Sequence, residues 1–119
     1  MNALNISKVQ KGNGPLRLIL LHGLCGSKEL WKAQIEYFSC DYEVIAIDLL
    51  GHGKSTSITA EDLIKESAKS IFQFLETLSA RPTILIGHSL GGWVVNELLH
   101  LKYNPMGIVF VDSPCMNSD

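Results

Sequence analysis

Long apolar runs are missing from this chain of 119 residues, and so is any strong excess of one charge. Its unbroken apolar stretches, such as residues 18–21 and 108–111, stop far short of the ~20 residues that a membrane-spanning helix needs. Ten Lys and Arg residues stand against 12 Asp and Glu residues, for a net charge of −2, and no basic stripe stands out. The sequence therefore predicts no membrane span and no nucleic-acid partner.

Cysteines are few, and the start of the chain has no long apolar segment. The first residues contain no apolar core long enough for a signal peptide. Cys25, Cys40 and Cys115 are odd in number and widely spaced, so they indicate free thiols rather than a disulfide framework or a metal-ligand pair. Because free thiols are typical of a reducing compartment, we expect a cytoplasmic protein. Motifs for a cofactor or a metal are absent, and we expect neither.

No internal repeat or linker divides the sequence, so we expect one domain over residues 1–119. Short apolar runs alternate with longer amphipathic ones. Buried strands are predicted at residues 16–21, 42–47, 83–86 and 107–111, with residues 4–9 as an outer strand pairing with the first of them. Helices are predicted at 27–38, from a capping box at Thr59 and Asp62 to Leu78, and at about 91–101. This alternation predicts an α/β fold with an open, mostly parallel sheet.

The string Gly87-His88-Ser89-Leu90-Gly91 directly follows one predicted strand and precedes a helical pattern. This is the context of a nucleophile elbow, in which a serine occupies a sharp turn between a strand and a helix. Small neighbours are needed there because the turn is tightly packed, and the adjacent helix N-terminus favours developing negative charge. The alternative interpretation is a glycine-rich turn used for packing or for phosphate binding.

Two further clusters follow the two strands that precede the elbow. His22-Gly23-Leu24-Cys25-Gly26 can present a backbone amide to an oxyanion. Asp48-Leu49-Leu50-Gly51-His52-Gly53-Lys54-Ser55 follows the strand that ends at residue 47. With the serine elbow, these ordered motifs resemble the α/β-hydrolase superfamily, in its serine esterase- and lipase-like branch, over residues 13–114. The resemblance covers the N-terminal half of that fold, so we expect a sheet of the α/β-hydrolase type truncated after the strand at 107–111.

The resemblance implies roles for individual residues. Ser89 matches the nucleophile, and the backbone amides of Leu24 and Leu90 match the two donors of the oxyanion hole. It further implies hydrolysis of carboxylic esters or thioesters through an acyl-enzyme, because serine at the elbow argues against the relatives that use aspartate, the epoxide hydrolases and haloalkane dehalogenases. The remaining motif residues are expected to be structural: His22, Gly23, Asp48, Gly51, His52, Gly53, Gly87, His88 and Gly91.

The sequence departs from the family at its catalytic histidine. The family order is serine, then acid, then histidine, yet no histidine follows His100. His100 lies on the same predicted helix as Ser89, roughly 16 Å further along its axis at 1.5 Å per residue, which is too far for a base. The usual acid position is missing too. Asp112, at the end of the last strand, is a candidate acid, since some relatives place theirs after this strand. The alternative is that it is a strand-end residue that bonds to nearby backbone.

Several alternatives follow from that departure. One is a serine hydrolase acting on a small acyl-ester-type substrate, present here as a fragment whose histidine comes from a longer product or a separate chain. Another is a non-catalytic truncated paralogue that acts as a binding or interaction protein. A third uses the same serine for acyl transfer or lyase chemistry. The strand at 107–111 carries no charge or proline to protect a sheet edge, so we expect self-association or pairing with a complementing chain through it.

Overall fold

Residues 4–113 are described by a computed structural model, Ala60 by its backbone alone; Cys115 lies outside the described residues. Three α-helices and five strands are found in this range. The strands are β1 (Lys8–Lys11), β2 (Arg17–Leu21), β3 (Glu43–Ile47), β4 (Thr83–His88) and β5 (Gly107–Val111). The helices are α1 (Lys32–Phe38), α2 (Leu63–Glu76) and α3 (Leu90–His100), and short 3-10 turns occupy Lys28–Trp31 and Ala60–Asp62. No helix among these residues is both long enough and apolar enough to span a bilayer.

The five strands form one sheet in the order β1-β3-β2-β4-β5. All neighbouring pairs are parallel except β1 with β3, which confirms the predicted mostly parallel α/β sheet. The predicted pairing of the outer strand was wrong, because β1 lies against β3 rather than β2. Both edges of β2 are already occupied by β3 and β4. Gly12, at a φ of +88°, and Gly14 pack against the backbone of residues 39–42, so the turn after β1 crosses the chain just before β3.

Helices cover the two faces of the sheet unequally. β2 and β3 are buried at every position, as their continuous apolar runs predict. α2 and α3 pack over one face, where Ile19, Ile45 and Leu85 are fully buried. On the other face, α1 packs over β2 and β3 through Ile35, whereas the β4 side chains on that face are only partly buried. The sheet thus places the ends of β2, β3 and β4 side by side.

Two helix starts differ from the prediction. Residues 28–31 form a 3-10 turn before α1, and Ser27, at the N-cap position of that turn, makes no side-chain capping bond. The predicted capping box is not formed. The Thr59 hydroxyl donates to the Asp62 carboxylate (3.2 Å), and the Asp62 amide donates to the Thr59 carbonyl (3.2 Å) rather than to the Thr59 side chain. That amide is therefore satisfied by a 3-10 turn, and α2 begins only at Leu63.

Candidate active site

Ser89 is the single residue between β4 and α3, and its backbone has φ +52° and ψ −113°. A positive φ is uncommon for a residue with a side chain and costs roughly 1–3 kcal/mol, so surrounding contacts must hold it. The Ser89 amide donates to the Val111 carbonyl at the end of β5 (3.1 Å). The Ser89 carbonyl accepts from the Gly92 amide (2.9 Å) and from the Ser113 hydroxyl (2.9 Å). The strand–serine–helix turn expected of a nucleophile elbow is present in the structure.

Close backbone approaches explain the glycines around Ser89. A Cβ on Gly91 would lie 2.2 Å from the Leu21 carbonyl oxygen, and one on Gly87 would lie 2.7 Å from the Gly91 carbonyl. A Cβ on Gly92 would lie 2.5 Å from the Ser113 hydroxyl oxygen. These glycines therefore let the start of α3 rest directly on the end of β2. Leu90 begins α3, so its amide is one of the four at the helix N-terminus without an intrahelical acceptor.

The loop at residues 22–26 follows β2 and is ordered by His22. The buried His22 ring accepts a hydrogen bond at Nε2 from the Leu49 amide (3.0 Å), so its proton resides on Nδ1 and is donated to the Gly23 carbonyl (2.7 Å). Burial lowers the pKa of His22, outweighing the hydrogen bond to Gly23, which raises it. The imidazole is therefore neutral near pH 7 and joins the 22–26 loop to the 48–55 loop.

Hydrogen bonding at the Gly23 carbonyl orients the neighbouring amide of Leu24. That carbonyl also accepts from the Gly26 amide (3.1 Å). In a trans peptide the N–H of Leu24 points away from the Gly23 carbonyl, so fixing one group fixes the other. Gly23 packs against the elbow: a Cβ there would lie 3.2 Å from the Ser89 Cβ and 3.0 Å from His88 Nδ1. The Gly23–Leu24 peptide is thus held in a fixed orientation beside the serine.

Asp48 is fully buried at the start of the 48–55 loop. Its carboxylate accepts hydrogen bonds from the Lys28 amide (2.7 Å), the Lys28 ammonium (2.8 Å) and the Lys54 amide (3.0 Å). Burial by itself would raise the pKa of Asp48, but these hydrogen bonds outweigh it and hold the pKa below its ordinary value. Gly53, at a φ of +52°, leaves room for the carboxylate, because a Cβ there would lie 2.3 Å from it. Asp48 therefore holds residues 28 and 54 together by charge and hydrogen bonding.

His52 forms the second connection between the two loops. Its Nε2 accepts from the Cys25 amide (2.9 Å), and its Nδ1–H donates to the Leu50 carbonyl (3.1 Å). The His52 and His22 rings lie 5.1 Å apart. Gly51, directly before His52, has a φ of +76°, a conformation that favours glycine.

β5 brings one predicted and one unpredicted residue to the elbow. Asp112 follows β5 at a φ of +53° with an exposed side chain, next to the residue whose carbonyl binds the Ser89 amide. Ser113, which the sequence analysis did not single out, donates its hydroxyl to the Ser89 carbonyl. Its one sequence signal is its place just after a strand of a parallel sheet, where functional residues collect.

The remaining two histidines are His88, directly before Ser89 in the chain, and His100, at the end of α3. His100 is at the opposite end of α3, with Nδ1 3.8 Å from the Glu97 carboxylate. His88 is half-buried beside an open cavity of about 200 Å³. This cavity is lined by His22, Leu30, Trp31, Gln34, His88 and Val111. Within residues 4–113, His, Cys, Asp and Glu side chains form no group of three that could hold a metal ion.

Comparison with known proteins gives consistent matches over most of the chain. Residues 17–118 match a family model described as alpha/beta hydrolase fold. Among curated proteins, (E)-2-((N-methylformamido)methylene)succinate hydrolase of Acinetobacter baylyi is 39% identical over 77 residues, 65% of this chain and 29% of that protein. The 1-acylglycerol-3-phosphate O-acyltransferase ABHD5 of Rattus norvegicus is 38% identical over 90 residues, 72% of this chain and 25% of that protein.

A solved structure described as Est816, an N-acyl homoserine lactone degrading enzyme, superposes with a TM-score of 0.83 at 26% identity. The superposition covers 92% of this chain and 42% of that one. The chain thus spans less than a third of the two curated relatives and less than half of this structure. The matched range includes β2 to β5 and both loops that flank the elbow.

Proposed function

Because the chain belongs to the alpha/beta hydrolase fold family, we propose that it carries the nucleophile and the oxyanion-binding amides of a serine hydrolase acting on carboxylic esters or thioesters. The observation that carries the proposal is the backbone of Ser89, held at positive φ between β4 and α3 and packed against Gly23. The similarity to a hydrolase from Acinetobacter and to a structure described as an N-acyl homoserine lactone degrading enzyme supports a hydrolytic function.

In the proposed reaction, the Ser89 hydroxyl oxygen bonds to the acyl carbon and the alcohol or thiol leaves with a proton. Water then attacks the acyl-enzyme and releases the carboxylic acid. The Leu24 and Leu90 amides donate to the oxyanion that forms in each step. Loss of one such donor typically lowers the rate about a hundredfold or more, so the orientation of the Leu24 peptide matters directly to the chemistry.

Removal of the Ser89 proton needs a base, and an acid must orient that base. Both ring nitrogens of His22 and of His52 already take part in hydrogen bonds to backbone groups. His100 lies at the far end of α3, and His88 directly precedes the nucleophile. We therefore propose that the imidazole base comes from a longer product that includes this chain or from a separate chain. Asp112, beside the elbow, is the proposed acid.

Labelling with a fluorophosphonate tests the assignment of Ser89. Since no histidine of the described residues is placed as the base, labelling is done with imidazole added in solution as a substitute base. We expect mass spectrometry of the wild-type chain to find the phosphonyl group on the peptide that contains Ser89. Ser89→Ala should abolish this labelling, while Ser79→Ala, at an exposed position after α2, should leave it unchanged. Absence of labelling in folded wild-type protein would instead favour a non-catalytic binding protein.

Acyl transfer is a second candidate, favoured by the similarity to the rat acyltransferase. Both reactions pass through the same acyl-serine and differ in what attacks it. A thioester substrate offered with and without an added alcohol acceptor separates them. Release of free acid in both mixtures identifies a hydrolase, whereas an ester product that needs the acceptor identifies a transferase.

The edge of the sheet at β5 is proposed as a contact with a second chain. Within the described residues β5 pairs with β4 alone, and Val109 and Val111 are 45% and 41% exposed. An apolar edge strand is a template for pairing with another strand. Sedimentation velocity at tens of micromolar should show association, and Val109→Lys should reduce it; a wild-type monomer at that concentration contradicts the proposal.

A further inference from the structure

The structure places Leu24 between two peptide units that are each held by a histidine. The peptide before it, Gly23–Leu24, is held through its carbonyl by His22 (2.7 Å). The peptide after it, Leu24–Cys25, is held through its N–H by His52 (2.9 Å). The Leu24 side chain is 67% exposed, so side-chain packing contributes little to the position of this segment. Backbone hydrogen bonding must therefore set the direction of the Leu24 amide.

Cys25 shows why the second hydrogen bond is needed. Its backbone has a φ of +61°, in the left-handed region that residues other than glycine rarely adopt. Left without a partner, this peptide unit would be free to rotate toward ordinary negative φ, and the Leu24 peptide joined to it would turn as well. The bond from the Cys25 amide to His52 Nε2 opposes that rotation.

We infer that His52 is a positioning residue for the proposed oxyanion hole: its Nε2 holds the Leu24–Cys25 peptide and so fixes the direction of the Leu24 amide. His52 is itself oriented, because its Nδ1–H donates to the Leu50 carbonyl (3.1 Å) within its own loop. The imidazole is thus fixed by the 48–55 loop and in turn fixes the Cys25 amide of the 22–26 loop by hydrogen bonding. The inference rests on the proposed function, since the direction of the Leu24 amide affects a reaction only if Ser89 is the nucleophile.

Two substitutions separate the two hydrogen bonds of His52. In His52→Gln, the amide oxygen can take the place of Nε2 and keep the Cys25 amide bonded. In His52→Asn, the shorter side chain can replace only Nδ1 and leaves the Cys25 amide without its acceptor. We expect hydrogen exchange of the Cys25 amide to be about tenfold faster in His52→Asn and within about threefold of wild type in His52→Gln.

The Leu85 amide, in the core strand β4, is the internal reference for these exchange rates, and His100→Asn at the far end of α3 is the control variant. Equal rates at Cys25 in all proteins, or a Leu85 rate that rises as much as that of Cys25, overturns the inference. Nitrogen-15 shifts of the wild-type rings give a test that needs no variant. We expect the His52 proton on Nδ1, and a proton on Nε2 near pH 7 overturns the inference because that atom could not accept.

The rate of phosphonate labelling tests whether the hydrogen bond from Cys25 to His52 affects the reactivity of Ser89. The labelling rate at Ser89 should fall about tenfold or more in His52→Asn and stay within about threefold of wild type in His52→Gln. Equal labelling rates in the two variants, despite different exchange at Cys25, overturn the link to the oxyanion hole. If wild-type protein is not labelled even with added imidazole, the proposed function fails, and the exchange and nitrogen-15 data decide the role of His52 by themselves.

Discussion

Replacement of Lys28 by methionine is the most informative test of how the 48–55 loop is held. The Lys28 ammonium donates to Asp48 at 2.8 Å, and the two side chains are only 9% and 0% exposed. Methionine keeps an unbranched side chain of similar length and removes the charge. Asp48 would then be a buried carboxylate whose remaining donors are the amides of residues 28 and 54.

The expected cost follows from that burial. Removing one partner of a buried ion pair typically costs about 3–5 kcal/mol, because the other charge stays buried without compensation. Two amides still bind Asp48, so we expect the lower end, about 3 kcal/mol. The free energy of unfolding of a typical protein domain is about 5–15 kcal/mol, so the loss would be a large fraction of this stability. Urea unfolding followed by tryptophan fluorescence measures it directly.

Lys69→Met is the matched control. Lys69 pairs with Glu66 one helical turn away at 3.2 Å, but its side chain is 58% exposed, and such surface pairs contribute about 0.5 kcal/mol or less. A loss for Lys28→Met below about 1 kcal/mol, or equal to that of Lys69→Met, would refute the reasoning.

The difference between wild type and Lys28→Met should also depend on pH. Because the pKa of Asp48 is lowered in the folded protein, its stabilising contribution is full above the ordinary aspartate pKa of 3.8 and disappears as the pH falls through the folded value. The two unfolding curves should therefore converge in acid. A constant difference down to the lowest pH at which both proteins fold would contradict this account.

Two further outcomes are expected from the elbow and its loop. Gly91→Ala should prevent stable folding or lower the free energy of unfolding by about 3 kcal/mol or more in thermal unfolding, since its Cβ would meet a backbone carbonyl at 2.2 Å. Gly107→Ala, with 3.7 Å to the nearest atom, should change that free energy by less than about 1 kcal/mol. Similar losses of stability in the two variants would contradict the packing described for Gly91. Burial lowers the pKa of His22, so the unfolded chain binds its proton first and stability should fall as the pH drops below 6.5. His22→Asn should flatten this slope in urea titrations, and an unchanged slope would contradict it.

Predictions from the sequence were most accurate where the signal was local. The periodicity of apolar residues predicted α3 and all four buried strands to within two residues, because burial on one or both faces imposes a pattern on neighbouring residues. The string around Ser89 predicted a turn between strand and helix for the same local reason, since only glycines fit where α3 meets β2. Residue spacing could not reveal that β1 lies against β3, because that choice depends on which sheet edge is free.

In the candidate active site, too, local motifs were predictable from the sequence, whereas contacts between distant residues were not. The motifs and their resemblance to a known family singled out Ser89, Leu24, His22 and His52 as candidates, but did not say which groups they bind. His52 meets the Cys25 amide across 27 residues, Lys28 meets Asp48 across 20, and Ser113 meets the Ser89 carbonyl across 24. Each of these contacts exists because parallel strands end at one edge of the sheet and deliver distant loops to the same place. A linear pattern records which residues are present there, whereas only the folded sheet decides which donor faces which acceptor.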